Sequence, residues 1–326
     1  MKDKLGWGII GCGDVVERKS GPSLAMASRS RIVAMMRRDR AKAQAMAQRF
    51  GAALGTDDAR AVIEHPDVDI IYVATPPSTH MEYAVAAAKA GKHVLVEKPM
   101  AMSGAQGRRM IEAATGSGVR LFVAYYRRFH SHIRWLRDQI AAGRIGRPVQ
   151  AFIDLAKRPT FDESRSWLID AAYSGGGIFV DVGVHRLDAL VFMLGPVESS
   201  CGVRTVFDAD SRVEQAVVLA IRFRSGAQAV ATGDFFSGRK ADSFAIHGTE
   251  GAIILDNFDS RKGILRSGGK EESFAFPAPE GTHIGQIRHI ESVLLDGAQA
   301  ESTGEDGLIT EMMLDSGARA TARVEN

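Results

Sequence analysis

Two groups of residues in this chain have the types and spacing for proton and charge chemistry. The first is Glu97-Lys98-Pro99, which closes the stretch KHVLVEKP at 92–99. Val94-Leu95-Val96 before it is the apolar run of a buried strand. An ionisable pair at the carboxyl end of a parallel strand stands where open α/β sheets bind ligands. Pro99 fixes its own φ, lacks an N–H and biases Lys98 toward an extended backbone, so the lysine has a defined direction. A surface ion pair at a strand end is the alternative reading. The second group is Asp181 and His185, which share one face of a helix because they are four residues apart. A carboxylate beside a histidine orients it or favours its charged form. The same two residues also fit an Asp N-cap with a histidine satisfied by it.

The elements that position Lys98 alternate from the start of the chain. Residues 5–10, LGWGII, read as a strand, and Gly11-Cys12-Gly13 follows before a helix opening at about Asp14 and Val15. A glycine pair there lets backbone N–H groups approach a pyrophosphate, and the helix start adds partial positive charge. Val16 occupies the third glycine position of the dinucleotide fingerprint, a departure from it. The second strand, 31–36, ends in Arg37-Arg38-Asp39. In a dinucleotide fold this strand end reaches the adenosine ribose, where arginine suits the 2′-phosphate of NADP and an acid suits NAD. A solvated basic turn is the plainer reading of the two arginines.

Helix 40–50 closing at Gly51, a short helix 57–64, strand 69–74 and the loop Thr75-Pro76-Pro77-Ser78 come next. Ser78 or Thr79 is expected to cap a helix at 79–90. Thr75, Pro76 and His80 lie on the loop and helix start after that strand, so they are candidates to line a cofactor. A structural role fits His80 as well. Helix 103–116 and strand 119–124 complete a βαβ order that implies a doubly wound parallel sheet over residues 1–125.

Residues 126–326 read as an α+β domain. A helix at 130–142, a strand at 149–156 and a loop at 159–174 precede Gly175-Gly176-Gly177, which marks a turn where backbone comes close to something. Helix 181–194 carries apolar Val184, Leu187, Leu190, Val191 and Leu194 on one side. From 197 to about 276 the pattern is strands joined by short turns, a large and mostly antiparallel sheet. Helices at 283–296 and 305–320 follow. They are too few to cover both faces of such a sheet, so a partner subunit is the expected cover.

Composition sets the remaining limits. The 326 residues are 45% hydrophobic and 25% charged, with a formal net charge of +2, which gives no electrostatic case for a nucleic-acid binder. Cys12 and Cys201 make neither a disulfide framework nor a zinc spacing, and no metal is indicated. No apolar run is long enough for a transmembrane helix, and Met1-Lys2-Asp3-Lys4 runs into a strand pattern without a signal-peptide core. A cytoplasmic protein that engages no membrane is expected.

Taken in order, GIIGCG, Arg37-Arg38-Asp39, AGKHVLVEKP, GGGIFVDVGVHRLD, the late GTEG turn and STGEDGL resemble the Gfo/Idh/MocA oxidoreductases over nearly the whole chain. The resemblance implies a Rossmann domain followed by a domain with a large open sheet. It implies a nicotinamide cofactor and a sugar or other polyhydroxylated cyclic substrate between the domains. Lys98 matches the family's catalytic lysine, Asp181 and His185 its active-site pair, and Gly11 and Gly13 its pyrophosphate loop. Glu97, beside the lysine, is carried with the cofactor set. Arg37 stands where NAD-preferring members usually have Asp, so NADP is expected ahead of NAD. His185 is then the general acid or base and Lys98 the stabiliser of the reacting oxygen, the reverse assignment staying open. A homodimer or homotetramer is expected. An NAD-dependent polyol dehydrogenase and a non-catalytic dinucleotide-binding regulator are the rival functions.

Overall fold

The computed structural model describes residues 2–159, 167–209 and 211–319. The chain forms two compact units, Met1–Phe129 with Pro279–Leu308, and His130–Ala278 with Ile309–Asn326. In chain order the helices are α1 (Gly21–Met26), α2 (Arg40–Phe50), α3 (Ala59–Ile63), α4 (His80–Lys89), α5 (Gly104–Gly116), α6 (Ser131–Ala141), α7 (Ala171–Ser174), α8 (Val184–Leu194), α9 (Ile284–Asp296) and α10 (Gly304–Ser316). The expected loop at 159–174 lies partly outside the described residues, and its described end contains α7.

In the first unit, β1 (Leu5–Ile10), β2 (Ser30–Met36), β3 (Leu54–Thr56), β4 (Ile70–Val73), β5 (His93–Val96) and β6 (Leu121–Val123) form a parallel sheet. Its order is β3-β2-β1-β4-β5-β6, which reverses direction between β1 and β4. All six residues of β1 are buried, as a strand covered on both faces requires. Asp39 caps α2 by accepting from the Lys42 N–H at 3.0 Å, and Gly51 ends it at φ 67°. The cap expected at the start of α4 is not made. The Thr79 hydroxyl instead bonds the Thr75 hydroxyl at 2.8 Å and the Pro76 carbonyl at 3.1 Å. The three-residue strand β3 carries too little apolar pattern to be read from sequence.

The segment 279–308, expected with the second half, packs in the first unit, and its physical reason is apolar. Ile284, Ile287, Ile290 and Val293 recur at helical spacing on α9 and join the same core as Trp7, Ile9, Ile70 and Phe122. Polar contacts fix the register. Glu291 accepts from the Ser30 hydroxyl at 2.7 Å, and Ser30 accepts from the Trp7 indole at 2.9 Å. The edge strand β6 is covered as well, since Val123 and Ser302 exchange backbone and side-chain hydrogen bonds at 2.8 and 2.7 Å.

The second unit is built on β7 (Pro148–Ala156), β8 (Val197–Thr205), β9 (Ala216–Phe223), β10 (Gln228–Asp234), β11 (Ala241–Gly248), β12 (Gly251–Leu255), β13 (Lys262–Ser267) and β14 (Lys270–Ala275). Their order is β14-β13-β12-β11-β7-β10-β9-β8. The pairs are antiparallel except β7 with β10, which are parallel. One face, with Ile153, Leu219, Ile221, Ala231, Phe244, Ile246, Ile253 and Leu265, is buried. The other carries Phe152, Val203 and Val218, each 40% exposed or more. No helix among the described residues is long and apolar enough to cross a membrane.

Candidate active site

The candidate residues of the first unit lie at the carboxyl ends of its parallel strands, and the sheet's topology explains why. Gly11 follows β1 and Thr75 follows β4, on either side of the point where the strand order reverses. A Cβ on Gly11, at φ +93°, would lie 2.7 Å from the Ala74 carbonyl, so only glycine lets these two strand ends meet. Among the described residues, no atom beyond its chain neighbours lies within 4 Å of where a Cβ on Gly13 would stand, which leaves that backbone open to a ligand. Asp14 and Val15, both exposed, open the helix, so their N–H groups belong to its unpartnered first turn. Val16 is fully buried, and the helix runs in π form over Val16–Ser20 before α1. A half-buried glycine turn with no side chains on Gly11 and Gly13, a helix start and a strand switch fit a dinucleotide pyrophosphate.

Arg37 and Arg38 follow β2, and neither guanidinium makes a hydrogen bond or ion pair among the described residues. Thr75 and Pro76 are half-buried after β4. His80 is fully buried, with Nδ1 3.0 Å from the Pro99 carbonyl and Nε2 2.8 Å from the Thr75 carbonyl. Burial pushes its pKa down against the pull of those carbonyls. Its ring therefore ties the loop after β4 to the loop carrying Lys98.

Lys98 is half-buried and joined to Pro99 by a cis peptide bond. Its neighbour Glu97 is buried, with the Tyr72 hydroxyl donating at 2.5 Å to one oxygen and the Lys98 backbone N–H at 3.2 Å to the other. His283 Nε2 is 3.7 Å from Glu97, a charge contact when the ring is protonated rather than a hydrogen bond. Burial raises the Glu97 carboxyl, but His283, Lys98 and the Tyr72 hydroxyl outweigh it and hold the group at about 2.

In the second unit, Asp181 lies in a π-helical turn, Phe179–Gly183, that runs directly into α8, where His185 is buried. Asp181 is thus inside the helical run and not its N-cap. Arg186, next to His185, is fully buried and anchors α8 to β11 through two hydrogen bonds to Asp242, at 2.5 and 3.2 Å. It also donates to the Val182 carbonyl at 3.1 Å.

Residues 5–125 match the family described as oxidoreductase family, NAD-binding Rossmann fold, and residues 133–254 match the GFO/IDH/MocA C-terminal domain. The chain belongs to the Gfo/Idh/MocA oxidoreductase family. It is 32% identical over 294 residues to an oxidoreductase of Formosa agariphila, covering 88% of this chain and 89% of that one. It is 32% identical over 308 residues to the 1,5-anhydro-D-fructose reductase of Ensifer adhaerens, covering 93% and 92%. The aldose-aldose oxidoreductase of Caulobacter crescentus, complexed with glycerol, superposes with a TM-score of 0.86 at 28% identity, over 96% of each chain. A levoglucosan dehydrogenase complexed with NADH and levoglucosan shares the fold, with a TM-score of 0.85 at 23% identity over 96% of this chain and 97% of that one.

Within this Gfo/Idh/MocA chain, the partners of the motifs come from distant sequence. Tyr72, His283, Arg186 and Asp242 carry no local signal, because only the fold brings them to their places. Tyr72 sits in an apolar strand and could be suspected only as a buried hydroxyl that needs a partner.

The Glu97 environment predicts a pH signature. Its folded value, about 2, lies below the ordinary 4.5. Its contribution is therefore complete above the ordinary value and is lost as pH falls from there toward 2, on the order of 3 kcal/mol in all. The urea-midpoint gap between wild type and Glu97→Gln should be widest near neutrality and shrink between about pH 5 and pH 3. A gap independent of pH contradicts an ionised, buried Glu97.

Proposed function

We propose that this oxidoreductase moves hydride between NADP(H) and a carbon bearing a hydroxyl or carbonyl group on a sugar or other polyhydroxylated cyclic molecule. The observation that carries the reading is Lys98, half-buried at the end of β5 beside a carboxylate held ionised. The nicotinamide group, when bound, supplies or accepts the hydride. The turn from Gly11 through Asp14 and Val15 receives the pyrophosphate. Thr75 and Pro76 line the cofactor after β4, and His80 fixes their loop, as does Glu97 for Lys98. Lys98 donates to the reacting oxygen and stabilises the negative charge that develops there. In the reducing direction the carbonyl carbon gains hydride and its oxygen takes a proton from His185; in the oxidising direction His185 takes that proton back. Asp181 orients His185 or binds a second substrate hydroxyl. The sugar named for the Ensifer adhaerens reductase supports this substrate class.

The NADP preference is supported by the use of Asp39. Its carboxylate is engaged on α2, accepting from the Lys42 N–H at 3.0 Å and standing 3.5 Å from the Lys42 ammonium, whereas the guanidinium groups of Arg37 and Arg38 have no such partner among the described residues. The NADH named in the levoglucosan dehydrogenase complex favours a second reading, an NAD-dependent polyol dehydrogenase in which the arginines do not select.

We further propose that the outer face of the eight-stranded sheet meets a second copy of the chain, in a dimer or tetramer. Phe152, Val203 and Val218 lie exposed on it, and a strand face with large apolar side chains is usually covered.

Lys98→Met keeps the length of the stem and removes the ammonium. Turnover of a carbonyl-sugar panel with NADPH should fall by about 100-fold or more, with NADPH binding nearly unchanged. Near-normal turnover in the folded variant sinks the reading. In the oxidising direction, with NADP+ and the reduced sugar, His185 is the base, so His185→Asn should lose the acidic limb of the pH–rate profile, which the residual activity of Lys98→Met retains.

Arg37→Asp should weaken NADPH binding by about 1.5–3 kcal/mol and leave NADH binding equal or better. Unchanged NADPH affinity selects the NAD reading.

Sedimentation at micromolar concentration should give a dimer or larger, and Val218→Lys should shift it toward monomer. A clean monomer in the wild type refutes the second-copy assignment.

A further inference from the structure

The helical run that carries Asp181 and His185 has an unusual start. Gly175, Gly176 and Gly177 have no side chains to cap it, and Ile178, at the N-cap, makes no side-chain cap. The first N–H groups of a helix are left without intrahelical acceptors and attract negative charge. Here a carboxylate from far along the chain meets them. Glu214, two residues before β9, is 1% exposed. One of its oxygens accepts from the Gly177 N–H at 2.5 Å. The other accepts from the Phe179 N–H at 3.0 Å and the Val180 N–H at 3.2 Å.

The rest of the turn is shaped around this contact. A Cβ on Gly176, at φ +154°, would lie 2.3 Å from the Val180 side chain and 3.2 Å from the Glu214 carboxylate. The turn is also held from its carbonyl side, where Arg319 Nε donates to the Gly175 carbonyl at 3.0 Å. Arg319 is itself fixed by Glu311 at 2.6 Å and Asp315 at 3.0 Å. The grip reaches the candidate residues through one bond, because the Asp181 N–H donates to the Gly177 carbonyl at 3.0 Å. His185 follows one turn later.

We infer that Glu214 is a positioning residue for hydride transfer: its carboxylate sets the place and pitch of the helix start that carries Asp181 and His185. Burial raises its pKa and the three backbone donors oppose that rise. A buried carboxylate is an expensive cap, and a Ser or Asp at the N-cap would stabilise the helix at less cost. What the carboxylate adds is a fixed tie between the helix start and the sheet, since Glu214 leads directly into β9. Sequence patterning does not reveal it, as Glu214 looks like one more charge beside a strand.

This inference rests on the reading of Asp181 and His185 as the proton-handling pair, and its test has one arm that does not. Glu214→Gln keeps the shape but presents one carbonyl oxygen in place of two carboxylate oxygens. The first readout is the ring resonance of His185 in the full-length protein, assigned by its loss in His185→Asn. It should move or split in Glu214→Gln, and Glu214→Asp should fall between the variant and the wild type. The second is turnover of 1,5-anhydro-D-fructose with NADPH and with NADH. kcat should fall about 10- to 100-fold while KM and cofactor affinity stay within twofold, as for a displaced reacting group. If Glu214→Gln does not fold, Glu214→Asp is measured by the same two readouts and should show the same direction of change. A folded variant with an unmoved His185 resonance and kcat within twofold of wild type overturns the inference. Full turnover in His185→Asn, with the resonance still displaced by Glu214→Gln, removes the proton-handling reading and leaves the positioning contact standing.

Discussion

The ionised carboxylate of Glu97, buried where β5 ends, is the constraint on which the first unit depends. A buried charge is tolerated only when it is paired and hydrogen-bonded. The partners come from three places: Tyr72 in β4, the Lys98 backbone, and His283 just before α9. Each would be an ordinary residue without the others. Together they pin β4, β5 and the start of α9 at one point, and Lys98 stands next to it. Removing one partner from a buried pair leaves the other charge uncompensated, a loss of about 3–5 kcal/mol in measured cases. The return of residues 279–308 to the first unit follows from the same need. Its apolar stripe covers the sheet, and its polar residues meet groups that would otherwise be buried alone. Glu291 meets Ser30, and Gln286 donates to the Val123 carbonyl at 2.6 Å.

The second unit solves a related problem with the charge reversed in role. In the first unit, donors gather around a carboxylate to hold that carboxylate. Around Glu214, the carboxylate is there to hold the donors. The backbone N–H groups of Gly177, Phe179 and Val180 have no other acceptor among the described residues, and all three bonds to Glu214 are buried. Arg186 with Asp242 does the same further along, joining α8 to β11. The helix with His185 is therefore fixed at its beginning by β9 and along its length by β11. The proton-exchanging role proposed for His185 would need this kind of support, because rate depends on placement at the level of an ångström.

Periodic and local features were legible in the sequence. β1 and α2 fall where the apolar alternation and the alanine-rich run place them, with Gly51 closing the helix as its type suggests. The strand ending at Lys98 was legible because Val94-Leu95-Val96 stops abruptly at charge. The large second sheet was legible from repeated short strands, although β13 and β14 carry mixed polar patterns and were less distinct. The allegiance of α9 was not, since an amphipathic helix declares that it has a core face but not which core receives it. Nor was Glu214, whose meaning is a contact with residues some thirty-five positions earlier. The expected Ser78 or Thr79 cap failed because the Thr79 hydroxyl is drawn to Thr75 and Pro76, neighbours whose position only the loop geometry reveals.

The departure from the dinucleotide fingerprint at Val16 has a structural counterpart. The third glycine of that fingerprint serves close packing of the first helix on the sheet. Val16 is buried, and the helix widens into π form from Val16 to Ser20 before α1 begins at Gly21. A Cβ on Gly21 would lie 2.5 Å from the Val16 carbonyl and 2.7 Å from the Phe50 ring. The place in this helix that excludes a side chain is therefore one step beyond the π turn, at Gly21. Gly11 and Gly13, the glycines proposed to receive the phosphates, are untouched by the change, because they lie before the helix and answer to the strand ends. Packing and ligand approach are separate demands on the same motif, and this chain moves the first along the helix while keeping the second in place.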